Sequence, residues 1–84
     1  MDAKITTNGT GDLTIDTNGG TNSGSIVIAD GANGAISIDP NGTGNLTLGS
    51  DDNTTTALTG NAVNVAAKGV LALTTSSGNN NITL

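Results

Sequence analysis

One short phrase recurs along this chain: a glycine, a small residue, then two apolar residues flanking a single other residue. It reads Gly11-Asp-Leu-Thr-Ile15, Gly24-Ser-Ile-Val-Ile28, Gly34-Ala-Ile-Ser-Ile38, Gly44-Asn-Leu-Thr-Leu48 and Gly69-Val-Leu-Ala-Leu73. Two looser copies are Gly60-Asn-Ala-Val-Asn-Val65 and the closing Asn80-Asn-Ile-Thr-Leu84. A phrase returning at short spacing is the mark of a repetitive, stacked β architecture. Within each phrase the apolar residues alternate, so both lie on one face of an extended strand and the residue between them on the other. The predicted apolar column is therefore Leu13/Ile15, Ile26/Ile28, Ile36/Ile38, Leu46/Leu48, Val63/Val65 and Leu71/Leu73.

The segments between phrases are turn chemistry. Asn-Gly and Asp-Gly supply positive φ at little cost, and Asp39-Pro40-Asn41-Gly42 is a strong turn sequence. Gly11, Gly24, Gly34, Pro40, Gly42 and Gly44 are the expected turn positions. Three phrases begin ten residues apart, at Gly24, Gly34 and Gly44, and the first begins thirteen before them. A longer echo runs from Asn8-Gly-Thr-Gly-Asp-Leu-Thr-Ile15 to Asn41-Gly-Thr-Gly-Asn-Leu-Thr-Leu48, thirty-three residues on. That spacing fits three sides of one triangular coil, or three chains each giving one side. The whole of 1–84 reads as a single repetitive segment, clearest over 8–49. An irregular loop is expected at 50–62, looser repeats over 63–84 and a turn at 76–81. A helix between Ala57 and Leu73 is disfavoured by Gly60, Gly69 and the β-branched valines, so strand is the expectation there.

Composition sets the scale of any core. Apolar residues are 33% of the 84, with no Phe, Trp or Tyr, and thirteen residues are glycine. Short aliphatic strands give little burial to offset the ordering of so flexible a backbone. The missing interior is expected to come from other copies of the chain.

Function classes fall away in turn. Seven aspartates against Lys4 and Lys68 give a charge of −5, which disfavours nucleic acid and anionic membranes as partners. No apolar run approaches a membrane span, and the first residues lack the basic and apolar stretches of a signal peptide. With no Cys there is no disulfide or thiolate metal site, and with no His or Cys the usual bases and nucleophiles are absent. Asp51-Asp52 has the form of a carboxylate pair for glycoside hydrolysis, but reads better as a solvated acidic turn. Gly9-Thr-Gly-Asp-Leu-Thr-Ile15 approaches a calcium-binding β-roll repeat, with Asp12 one position early and Asn45 in its place in the second copy. The Asn-x-Ser/Thr sequons at Asn8, Asn41, Asn45, Asn53 and Asn81 follow from the richness in Asn and Thr. The outward positions Thr14, Val27, Ser37, Thr47, Asn64 and Ala72 form no regular threonine array of the ice-binding kind. No enzyme activity, cofactor or metal is expected.

The stretch Ala32-Asn-Gly-Ala-Ile-Ser-Ile-Asp-Pro-Asn-Gly-Thr-Gly-Asn-Leu-Thr-Leu48 resembles repeats of bacteriophage tail-fibre and other virion-fibre proteins, those of marine phages especially. The likeness covers about residues 8–49. It implies a trimeric, extended β-helical or β-prism shaft on a virion and brings no catalytic residues. The aromatic-rich tip that usually contacts a receptor has no counterpart here.

The resulting expectation is an all-β chain, a repetitive solenoid or fibrous β-helix or β-prism of short strands, completed by oligomerisation as a homotrimer or end-to-end filament. Its expected role is structural, in a virion or extracellular fibre. Two other classes fit less well. One is an adhesion module contacting surface glycans through Asn, Asp and Thr. The other is an extracellular amyloid-like filament subunit, although regularly placed Gln of the curli type is absent.

Overall fold

The computed structural model describes residues 1–75 and 81–83. The chain is all-β, with no α-helix among the described residues. It forms three short strands, β1 (Leu13–Ile15), β2 (Ser25–Ile28) and β3 (Ile36–Asp39), in one antiparallel sheet of order β1-β2-β3. Two compact units are distinguished, Met1–Asp51 and Asp52–Leu84. The sheet belongs to the first.

Each strand is one of the repeated phrases, extended because alternating Leu, Ile and Val suit a pleated surface. The phrases pair as consecutive hairpins, not as sides of one coil. Leu13, Thr14 and Ile15 face Ile28, Val27 and Ile26, while Ser25, Ile26, Val27 and Ile28 face Asp39, Ile38, Ser37 and Ile36. Antiparallel pairing follows from connections too short for a crossover.

The β1–β2 connection carries a single 3-10 turn at Asn18–Gly20, closed by Gly20 N–H to Thr17 O (3.0 Å) and Thr21 N–H to Asn18 O (3.1 Å). Its neck is tied by side chains. Thr17 donates to Ser23 Oγ from its amide (2.8 Å) and its hydroxyl (3.0 Å), and Ser23 Oγ donates to Gly24 O (2.6 Å). The β2–β3 connection is closed by Ala29 N–H to Ala35 O (2.9 Å) and Gly34 N–H to Gly31 O (3.2 Å).

Two phrase-opening glycines are required by close approach. A Cβ on Gly24 would meet Asp39 O at 2.9 Å and Pro40 Cα at 3.0 Å, and one on Gly34 would collide with Ala29 O. Gly44 N–H closes a further turn onto Asn41 O (2.9 Å), with Gly42 at φ +54. Gly11, expected at a turn, has open space around its Cβ position.

Elsewhere the expected strands differ from the structure. Leu46/Leu48, Val63/Val65 and Leu71/Leu73 lie outside any strand, as do Ile82 and Thr83. A period-two pattern makes a strand only where a neighbour accepts its hydrogen bonds, and these segments have no ladder partner among the described residues. The turn expected at 76–81 and the terminal Leu84 fall largely outside the described residues.

Alanine at Gly24 or Gly34 should destabilise the sheet by more than about 1 kcal/mol, because backbone must move to admit the Cβ. Alanine at Gly11 should be neutral or stabilising by up to about 1 kcal/mol. Urea unfolding followed by circular dichroism separates the two classes.

Candidate functional site

The register places six aliphatic side chains in two rows across one face of the sheet. One row is Leu13, Ile28 and Ile36; the other is Ile15, Ile26 and Ile38. All six were expected in the apolar column. The opposite face carries Thr14, Val27 and Ser37, with Ser25 opposite Asp39.

Within the unit Met1–Asp51 this aliphatic face stays largely exposed. None of the described residues is buried, and the five isoleucines of the two rows remain between 36% (Ile26) and 68% (Ile36) exposed. The contrast within β2 is informative: Val27, on the mixed face, is half-buried, while Ile26 and Ile28 beside it are exposed. Leu46, Leu48, Val63, Val65, Leu71 and Leu73 are likewise more than half exposed.

A shallow hollow lies against each of the two rows. One, of about 330 Å³, is lined by Ile15, Ile26 and Ile38 together with Pro40 and Leu46. The other, of about 290 Å³, adds Ile5 and Thr7 to Leu13 and Ile28. Ile5 lies outside every repeated phrase and was not expected there; its lone position in a polar stretch gave no periodic signal.

Carboxylates sit at the ends of the strands. Asp12 precedes β1 and Asp16 follows it, Asp39 closes β3, and Asp30 lies just beyond β2. Asp12 Oδ1 accepts the Asp30 N–H at 2.8 Å, so this side chain clips the β1 entry to the loop after β2. In the sequence Asp12 stands one position early for a calcium-binding β-roll repeat. Among the described residues no cluster of three or more His, Cys, Asp or Glu is placed to hold a metal ion. Asn53 Nδ2 donates to Thr56 Oγ1 (3.3 Å) in the loop after Asp51-Asp52. No helix among the described residues is long and apolar enough to cross a membrane.

Compared with protein families, with curated proteins and with solved structures, the chain matches none.

Replacing Asp12 by Ala should cost about 0.5–1.5 kcal/mol, the usual worth of one hydrogen bond to backbone. The specific readout is faster hydrogen exchange at the Asp30 amide, with the amides of Thr17 and Gly20 unchanged.

Proposed function

We propose that this chain is a structural segment of a fibre, a shaft or filament built from several copies that share one interior. The observation that carries this reading is the exposed pair of aliphatic rows. A sheet with one apolar face needs a second layer to bury it. Within the unit Met1–Asp51 that layer is lacking, and in this reading the rows of neighbouring copies supply it, as a homotrimer or a longer end-to-end assembly.

The composition suits such a role. A repeated short strand gives length from little sequence, and stacked ladders satisfy backbone groups even where side chains are small. The resemblance of residues 8–49 to tail-fibre repeats supports a place on a virion or in another extracellular fibre. In this reading the polar loops face solvent, and the seven aspartates keep separate fibres apart by mutual repulsion. A glycan-binding adhesin would use the same loops, but sugar-binding surfaces commonly offer an aromatic ring to stack on, and the chain has none.

Light scattering should give a mass that is a multiple of 8.1 kDa, and electron microscopy should show rods or filaments. A stably folded monomer overturns the proposal. Ile26→Asn, which puts an unpaired amide at the centre of the aliphatic face, should weaken assembly at least about tenfold, a loss of about 1.4 kcal/mol or more. Added salt should strengthen the wild-type assembly, since each copy carries a charge of −5 and screening relieves the repulsion.

A further inference from the structure

The two outer edges of the sheet differ. Hydrogen-bonded pairs alternate with non-bonded pairs along an antiparallel ladder. Because Ala29 N–H bonds Ala35 O, the bonded pairs of β2 and β3 are Val27 with Ser37 and Ser25 with Asp39. The N–H and C=O groups of Ile36 and Ile38 therefore point away from β2, at the free edge of β3. That edge is short and ends in the charged Asp39, but its centre, Ile36-Ser37-Ile38, carries no charged residue and no proline to blunt it.

The fourth phrase, Gly44-Asn-Leu-Thr-Leu48, carries the pattern to fill that edge. With Leu48 opposite Ile36 and Leu46 opposite Ile38, both aliphatic rows would gain a fourth member. The chain's own copy is held out of phase. The turn from Asn41 to Gly44 repeats, ten residues on, the bond from Gly34 N–H to Gly31 O that precedes β3. Repeating that hairpin would aim residues 45 and 47 at the backbone groups of Asp39 and Ser37, which already serve β2. Turns of one kind spaced by an even number of residues, as these are by ten, ask the same residues of β3 to bond on both sides. In an antiparallel sheet each residue bonds on one side only. A strand delivered by another molecule is free of that turn.

We propose that the open edge of β3 is filled by residues 44–48 of a second copy of this chain. They pair antiparallel, with Leu48 opposite Ile36 and Leu46 opposite Ile38. The inference rests on the self-assembly proposed above and deepens it, since it gives the assembly an edge-to-edge contact besides the shared aliphatic face. Strand addition at an open edge is a general mode of protein recognition. Here the added strand has the sequence pattern of β1, which already makes the same kind of contact on the other side of β2.

The chain contains no cysteine, so single cysteines report contacts between copies without ambiguity. Ile36 and Leu48 are 68% and 62% exposed, so cysteine at either leaves the folded unit intact. Ile36→Cys and Leu48→Cys proteins, mixed and oxidised, should give a mixed disulfide severalfold more readily than Ile36→Cys mixed with Thr47→Cys, whose side chain leaves on the opposite face. Equal yields from the two mixtures, with the wild-type protein assembled, overturn the edge pairing and leave the assembly reading standing. Ile36→Cys coupling to itself as readily as to Leu48→Cys also overturns it, because β3 then meets another β3. A wild-type protein that is monomeric by light scattering overturns both.

Discussion

A single layer of sheet with one aliphatic face cannot bury that face by itself, and everything else about this chain follows from that constraint. The residues that would cover a face in a larger domain are missing in kind as well as in number. There are no aromatic rings, and the remaining apolar residues are spread thinly among glycine, asparagine and threonine. Hydrophobic burial is the main term opposing chain entropy. In the proposed assembly that burial comes from layers supplied by other copies.

The loops show how a sheet so poor in side-chain burial keeps its register. Thr17 and Ser23 tie the neck of one connection, Asp12 reaches across to the Asp30 amide, and the glycines at 24 and 34 let backbone approach backbone. Each contribution is small, on the order of 1 kcal/mol in general experience. Together they fix which residues face each other. In a sheet, a slip of one residue would send all six aliphatic side chains to the wrong face. The polar loops thus serve the apolar rows.

Much of the sheet was legible in the sequence. Alternation over Leu13–Ile15, Ile26–Ile28 and Ile36–Ile38 marked both the strands and the shared face of their side chains, because period two is a local property of extended backbone. The same alternation at Leu46–Leu48, Val63–Val65 and Leu71–Leu73 did not yield strands, since a strand exists only with a hydrogen-bonding neighbour. Ile5 beside Leu13 and Ile28 had no periodic signal at all. The bond from Asp12 to the Asp30 amide joins residues eighteen apart and carries no sequence motif that spacing rules recognise.

Sequence by itself determined the all-β character, the two-residue apolar rhythm and the shortage of bulky side chains, because each depends on residue type and on neighbours one or two positions away. Tertiary structure decided that the phrases pair as antiparallel hairpins, that their side chains form two rows of three, and that a fourth phrase ten residues on stays outside the sheet. Those outcomes depend on the hydrogen-bond phase between strands, a relation set by turn geometry in three dimensions and invisible to the order of residues along the chain.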